Sequence, residues 1–417
     1  MSQPTISFCL RNVHVLNERG EFGPPLDVLV QNGYVHSVGE SVAAGDAPSH
    51  DFSGLFLMPG LVDCHLHITG NSETPEPGGT PVALWTLRAA AAARKTLDAG
   101  VTFARDLGGA EAGLQRGIET RLIEGPDLRI AISMLSKTGG HGDGYLLGED
   151  RERPSYSMGD YLGRPPHLVD GPDEMRRAVR VLARARANWI KLCSTGGIAS
   201  EYDDPEAPEL TFDEIAVAVE EASRHGLRVA AHAYGGSGLS DAIAAGVASI
   251  EHGTFLTEEQ AREMARRGTW LVPTITVLKD DVARARAGGV SDAFAGKALR
   301  VGRALGEAVE IARAAGVSIA MGSDACIPRH HGANAAEVTA LCEAGVPAPE
   351  ALLAATSGGA QLCGKAADEI GQVAPGKRFD AIILDVDPSN TRAFSDPTSV
   401  TGVFKNGRAV LPHPRLG

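Results

Sequence analysis

The sequence has no long apolar run. It contains no stretch of about 20 consecutive apolar residues, which is the length needed to cross a bilayer. The start, MSQPTISFCLRNVH, has no basic segment followed by an apolar one. These absences argue against a membrane span and a secretion signal. We therefore expect a cytoplasmic protein with no membrane partner.

A dense basic cluster is also missing. The 417 residues include 39 Lys and Arg against 52 Asp and Glu, a formal charge of −13. This acidic balance argues against nucleic acid as a partner, so we expect a small-molecule substrate. Hydrophobic residues at 43% and charged residues at 22% exclude a disordered, collagen-like or coiled-coil chain.

Cysteine and lysine are both scarce. The six Cys residues form no CxxC pair, which argues against a disulfide scaffold or a zinc ribbon. Only eight of the 39 basic residues are Lys, and one of them, Lys191, lies in an apolar run. That unusual position makes Lys191 a candidate functional residue.

Two β-rich ends flank a longer middle segment. Short strand-like runs occupy residues 7–57 and 379–411, with the hairpin signals Asn32-Gly33 and Asn406-Gly407 among them. We expect both ends to pair into one small β domain, a β-sandwich formed by residues 1–58 and 368–417.

The middle segment, residues 59–367, alternates apolar runs with amphipathic stretches. Eight strand-like runs are expected at residues 61–67, 101–106, 128–135, 189–193, 228–234, 249–252, 270–276 and 317–324. Strands separated by helices pair in parallel, and eight such units predict an α/β fold of the (β/α)₈ TIM barrel type. An open doubly wound sheet is the alternative, but the GxGxxG context it would need is absent.

Side chains that can bind metal ions lie at or near the ends of several of these apolar runs. In a barrel, catalytic residues lie at the C-terminal ends of the strands. His65 and His67 alternate along one strand, so both imidazoles point to the same side. Lys191 is costly to bury unless its charge is paired or removed, and its neutral amine can react with carbon dioxide. Singly, each position is also explained by packing, a helix cap or an internal ion pair. The complete set of six, which is His65, His67, Lys191, His232, His252 and Asp324, predicts a metal site.

The same residues carry a family resemblance. Residues 57–67, LMPGLVDCHLH, followed by Lys191, His232, His252 and Asp324, resemble the amidohydrolase superfamily over essentially the whole chain. The resemblance implies two divalent metal ions. The nitrogen and oxygen ligands suit zinc best, although mixed histidine and carboxylate sets also bind Mn, Fe or Co. His65 and His67 would bind one ion, His232 and His252 the other, Lys191 would bridge them as a carbamate, and Asp324 would bind the first ion.

Further segments narrow the resemblance to one branch. Residues 105–109, RDLGG, 139–143, GGHGD, and 232–234, HAY, resemble the imidazolonepropionase-like and prolidase-like enzymes. This branch hydrolyses Xaa-Pro dipeptides and related amides, so a dipeptide or an N-acyl amino acid is the expected substrate. A hydrolase of a cyclic amide, a carbamate or a xenobiotic amide is the alternative. A metal-free assembly protein is disfavoured by the complete ligand set.

The resemblance also implies how the reaction runs. A hydroxide between the metals would attack the amide carbonyl, while Asp324 takes up a proton and returns it to the leaving amine. His141 would hydrogen-bond the oxyanion, although a solvated loop His is the alternative. Tyr234 would reach the substrate, unless it only packs at the barrel mouth.

Charged loops supply the remaining candidates. Arg329 and His331, after the eighth run, could bind a substrate carboxylate or simply be exposed to solvent. The acidic residues 201–206 could contact a basic substrate group, but a solvated stretch is the plainer interpretation. In place of the Arg that some relatives have after the fifth-strand motif, residues 235–238 are GGSG, which weakens the case for dipeptides. We also expect a homo-oligomer.

Overall fold

The computed structural model describes residues 7–70, 80–144, 164–199 and 203–416. The strands are β1 (Phe8–Val15), β2 (Leu26–Gln31), β3 (Tyr34–Gly39), β4 (Ser49–Asp51), β5 (Phe56–Pro59), β6 (Leu61–Leu66), β7 (Val101–Asp106), β8 (Asp127–Ile130), β9 (Met134–Leu135), β10 (Trp189–Cys193), β11 (Arg228–Ala233), β12 (Ser249–His252), β13 (Trp270–Val272), β14 (Ala381–Leu384), β15 (Val400–Lys405) and β16 (Arg408–Leu411). The helices are α1 (Val82–Asp98), α2 (Ala112–Glu119), α3 (Pro172–Arg184), α4 (Phe212–Arg224), α5 (Gly236–Ala245), α6 (Glu258–Arg267), α7 (Ile275–Ala287), α8 (Asp292–Ala304), α9 (Glu307–Ala314), α10 (Ala336–Glu343), α11 (Ala348–Leu353) and α12 (Gly359–Leu362). None of these helices is long and apolar enough to span a bilayer.

Strands from both ends of the chain share one eight-stranded sheet, with the order β16-β15-β14-β5-β1-β2-β3 and β4 beside β1. The two ends meet where β14 pairs antiparallel with β5. Both expected hairpins are confirmed, and Asn32 and Asn406 have positive φ angles of 55° and 54°, which the tight turns require. A sandwich of two packed sheets and the domain boundaries stay predictions.

The middle of the chain contains two parallel sheets instead of one continuous sheet. One has the order β6-β7-β8 and the other β13-β12-β11-β10-β9. The third expected strand, residues 128–135, is divided into β8 and β9 around Ile132, which has a φ of 69°. Because L residues avoid this region, the strand cannot continue there.

The eighth expected strand, residues 317–324, is not a regular strand in the structure, which corrects that expectation. The segment still bonds to both sheets, since Leu271 N donates to Ser318 O at 2.9 Å and Cys64 N donates to Met321 O at 2.9 Å. At its end Asp324 takes a φ of 50°, which breaks the extended backbone.

Local sequence explains the helices that cover the sheets. In α3, Pro172 stands in the first turn, where its missing N–H costs nothing. The apolar residues Met175, Ala178, Val179 and Leu182 are spaced by three and four, and all are buried. Such a stripe faces the sheet and leaves the charged residues of the helix toward solvent.

Two turns in the backbone set the bounds of α7, α8 and α9. The helical segment is interrupted at Gly306, whose φ of 99° suits glycine, so α8 and α9 are separate. The seventh expected strand, residues 270–276, ends at Val272, and α7 begins at Ile275. Thr274, with a φ of 50°, turns the chain between them.

Candidate metal centre

His65 and His67 extend from the end of β6 into a common cavity. Nδ1 of His67 donates to Gly108 O at 2.8 Å, because a carbonyl can only accept, and its Nε2 is therefore left with a lone pair. Oδ1 of Asp324 lies 3.5 Å from Nε2 of His65 and 3.3 Å from Nε2 of His67. The three side chains place one ligand atom each within 4.8 Å of one another, a spacing that suits a single ion.

His232 and His252 come from the ends of β11 and β12. Nε2 of His232 donates to Gly196 O at 3.0 Å, and Nδ1 of His252 lies 2.7 Å from the Thr274 hydroxyl. The two ring centroids are 4.6 Å apart, and His252 lies 5.4 Å from His65. Each ring thus has one nitrogen held by the protein and the other available to a ligand, as in metal-binding histidines.

Lys191 of β10 lies at the base of this cavity. It is 1% exposed, and its Nζ has no hydrogen-bond partner within the described ranges. Burial lowers the pKa of Lys191, opposed by the nearby Glu251 carboxylate. A buried amine left without a partner costs free energy, so this environment suits a Lys whose amine has become a metal-bridging carbamate.

Backbone strain is concentrated at the centre. His252 has a φ of 73° and Asp324 a φ of 50°, a region that non-glycine residues rarely adopt. Strained residues persist where surrounding structure fixes them, and they cluster at functional sites. Here the strain turns each side chain toward the cavity at the point where its strand or extended segment ends.

The pKa of Asp324 is lowered. Burial alone would raise it, but the imidazoles of His65 and His67 stabilise the carboxylate more strongly. Burial lowers the pKa of His65 and of His232, which favours the neutral form of each ring. Neutral imidazoles and an ionised carboxylate are the forms that bind metal ions.

His141 and Tyr234 lie beside these residues. The His141 ring stacks on His232 with centroids 4.2 Å apart, and the Tyr234 ring stacks on His252 at 4.9 Å. Burial raises the pKa of Tyr234, which keeps its hydroxyl protonated as a hydrogen-bond donor. Gly197 passes so close that a Cβ there would stand 2.2 Å from the His141 ring, so a larger residue would displace it.

Two carboxylates hold His141. Asp203 accepts from Nδ1 of His141 at 3.1 Å and from Gly197 N at 2.7 Å, and it pairs with Nζ of Lys297 at 2.9 Å. Glu209 accepts from the backbone N–H of His141 at 2.7 Å. Burial raises the pKa of Glu209 to about 8, whereas the pKa of Asp203 is lowered to about 2 because His141 and Lys297 outweigh its burial.

Sequence reasoning missed these supporting residues. Asp203 belongs to the acidic stretch interpreted as solvated, yet its side chain is only 4% exposed, so that interpretation is wrong for this residue. Residues 201 and 202 of the stretch lie outside the described ranges. The single signal in the sequence was an acidic residue close behind the Lys strand, which does not reveal its partner.

A second missed pair, Glu251 and Arg105, lies beside His65 of β6. Nδ1 of His65 is 2.9 Å from Oε2 of Glu251, although the two are not aligned for a full hydrogen bond. The other oxygen of Glu251 accepts from the wholly buried Arg105 at 2.8 Å and from Ser249 at 2.5 Å. Arg105 had been noted only as part of a resembling segment, and its contact with Glu251 explains why it is buried there.

Two expected substrate-binding residues lie away from the cavity. Arg329 pairs with Asp280 at 2.5 Å on the surface, and the buried His331 lies 3.1 Å from the Thr96 hydroxyl. Neither is among the described residues that line the cavity, whereas the intervening His330 is. The placement gives no support to Arg329 and His331 as direct substrate contacts, because their side chains are engaged elsewhere.

The other eight expected site residues all line one cavity of about 140 Å³: His65, His67, His141, Lys191, His232, Tyr234, His252 and Asp324. Side chains of helix α7 and of the following helix form part of its wall, including Val277, Leu278, Asp281, Arg284 and Phe294. The arrangement combines a cluster of candidate metal ligands with a wall that is partly apolar and partly charged, which fits a small organic substrate.

Comparisons with known proteins agree with this geometry. The family model described as "Amidohydrolase family" matches residues 56–410. Ochratoxinase of Aspergillus niger is 33% identical over 374 residues, which cover 87% of this chain and 76% of that protein. A prolidase solved with N-methylphosphonate-L-proline is 29% identical with a TM-score of 0.88, over 98% of this chain and 100% of that one. A Xaa-Pro dipeptidase with bound methionine is 26% identical with a TM-score of 0.87, over 97% and 100%.

Proposed function

The chain belongs to the amidohydrolase family, as a hydrolase of amide bonds in its prolidase-like branch, and on that premise we propose that it is a binuclear metalloenzyme. Its substrate would be a dipeptide or an N-acyl amino acid. The observation that carries the proposal is the convergence of His65, His67, Lys191, His232, His252 and Asp324 on one cavity.

The donor set fits two ions. We assign His65, His67 and Asp324 to one ion, and His232 and His252 to the other, with a carbamate on Lys191 as the bridge. The unpartnered, buried Nζ of Lys191 supports this assignment, since a carbamate would turn a costly amine into a ligand. Imidazole and carboxylate ligands suit zinc, which we propose as the resident ion.

The bound ions would lower the pKa of a shared water and polarise the amide carbonyl. Asp324, ionised near neutral pH, accepts a proton during attack and returns it to the leaving nitrogen. The Tyr234 hydroxyl donates to the substrate from the wall. His141, whose ring is oriented by the Asp203 carboxylate at 3.1 Å, would hydrogen-bond the oxyanion.

The relatives support the substrate class. One is named ochratoxinase, and the two solved structures are a prolidase and a Xaa-Pro dipeptidase. Residues 235–238 are GGSG in this chain, where some relatives have an Arg. A substrate carboxylate would therefore need another cation in this chain.

A substrate screen tests the proposal. Purified protein is reconstituted with zinc and given libraries of dipeptides and N-acyl amino acids, with the released amine measured. We expect turnover that disappears on chelation and returns with zinc. Turnover confined to cyclic amides or carbamates would contradict the proposed substrate, and activity that survives complete metal removal would contradict the mechanism.

We also propose that the two parallel sheets belong to one (β/α)₈ barrel of residues 59–367. The hydrogen bonds from Leu271 and Cys64 to the segment between them support closure on one side. On the other side, β8 is followed directly by β9, and Asn188 N donates to Ile130 O at 2.7 Å. Residues 1–58 and 368–417 would form the separate small domain.

A further inference from the structure

The rim of the cavity carries one strong cation. Among the described residues that line the cavity, Arg284 of α7 is the one arginine. Lys191 is buried at the base and is assigned to the metals, and Arg329 is turned toward Asp280. A substrate carboxylate that enters this cavity therefore meets Arg284 as the permanent positive charge.

Neighbouring side chains hold the guanidinium in place. Nη1 of Arg284 donates to Oδ1 of Asp281 at 3.1 Å, and its guanidinium carbon lies 4.9 Å above the Phe294 ring. The side chain is 44% exposed, and within the described part of the chain neither Nε nor Nη2 donates a hydrogen bond. Those two nitrogens form the edge that can bind a carboxylate through two parallel hydrogen bonds.

We propose that Arg284 binds the free carboxylate of the substrate and determines the preference for amides of amino acids. The inference rests on the proposed function and adds the missing anion contact to it. Asp281 and Phe294 fix the guanidinium against the wall, while Val277 and Leu278 contact the apolar part of the substrate.

The surroundings of Asp281 agree with this role. Burial raises the pKa of Asp281 to about 7, opposed by Arg284. Near neutral pH this carboxyl is therefore only partly ionised, and it repels an incoming carboxylate less than a fully ionised acid would.

The test compares two substrates in three variants, Arg284→Gln, Arg286→Gln and Arg329→Gln. The probes are the N-acyl amino acid with the highest turnover in the zinc-reconstituted screen and its amino-alcohol analogue, in which CH₂OH replaces the carboxylate. In Arg284→Gln, we expect kcat/KM for the carboxylate substrate to fall by roughly 10- to 100-fold, mainly through KM. The alcohol should change by less than about threefold, since it never formed the ion pair.

Arg286→Gln is the matched control, because Arg286 lies on the same helix, is exposed and does not line the cavity. It should leave both substrates unchanged. Equal losses on both probes, or no loss on either, in Arg284→Gln would overturn the inference, and a selective loss in Arg329→Gln would assign the carboxylate to that residue instead. If the wild-type protein cleaves neither dipeptides nor N-acyl amino acids, the proposed function itself has failed.

Discussion

Asp203→Asn should damage both stability and turnover, because one carboxylate joins His141, Gly197 and Lys297. The pKa of Asp203 falls from an ordinary 3.8 to about 2 in the folded chain. By linkage, that difference corresponds to about 2 kcal/mol of stability at pH 7. The side chain is almost fully buried, so solvent screening reduces this figure little.

The sign of the pH dependence follows from the lowered pKa. A carboxylate with a depressed folded-state pKa stabilises the fold above its unfolded pKa, and this contribution is lost as the pH falls through the folded one. The difference in unfolding free energy between the wild type and Asp203→Asn should therefore stay constant from pH 7 to about pH 5 and shrink by about half near pH 3.

Asp204→Asn is the matched control. Asp204 is the next residue, and its ion pair with Arg300 at 2.7 Å is about half exposed. Such surface pairs contribute about 0 to 1 kcal/mol. Urea unfolding of both variants and the wild type, at several pH values, gives the differences in unfolding free energy. Losses of stability at low pH that are common to all three proteins cancel in these differences.

The same variant should lower kcat by about 10- to 100-fold with little change in KM, since His141 loses its orientation but the substrate contacts remain. Equal stability of the Asp203 and Asp204 variants at pH 7 would refute the structural argument. A normal kcat in a folded Asp203→Asn protein would refute the role of Asp203 in positioning His141.

Three further changes have defined outcomes. Glu251→Gln should weaken metal affinity about 10- to 100-fold, because the carboxylate beside His65 orients its ring; chelator competition measures this, and unchanged affinity would exclude the role. Asp324→Asn should reduce kcat by more than about 1,000-fold in protein that still contains metal, and near-normal turnover would remove Asp324 from the proton transfer. Lys405→Met should lower the free energy of unfolding by roughly 2 kcal/mol, measured with urea, without changing kcat. The reason is that Lys405 of the terminal sheet forms a buried ion pair with Asp127 of β8 at 2.7 Å. An unchanged free energy of unfolding would show that this contact contributes nothing.

The site was predictable where its chemistry follows the strand period. His65 of β6 and His67 just after it are two residues apart, and His232 of β11 and Tyr234 just after it are related in the same way, so alternation places each pair on one face. Residues 57–67 and the order of Lys, His, His and Asp in the fourth, fifth, sixth and eighth apolar runs then carried the resemblance to the family.

The supporting contacts were not predictable, because they join distant parts of the chain. Lys297 reaches Asp203 across 94 positions, and no local pattern marks that pairing. Helix α7 was missed altogether, since its first residues continue an apolar run that resembles a strand. Arg284 therefore had no expected place in the cavity, and the anion contact was sought in the loop that contains Arg329.

We propose a two-metal centre bridged by Lys191, and the metal content of each folded chain shows whether it exists. After zinc reconstitution and removal of free ions, elemental analysis should give two zinc ions per wild-type chain. Lys191→Met, matched in size but unable to form a carbamate, should retain fewer than two. A wild-type content of zero or one ion would contradict the two-metal centre, and two ions in both proteins would contradict the bridging role of Lys191.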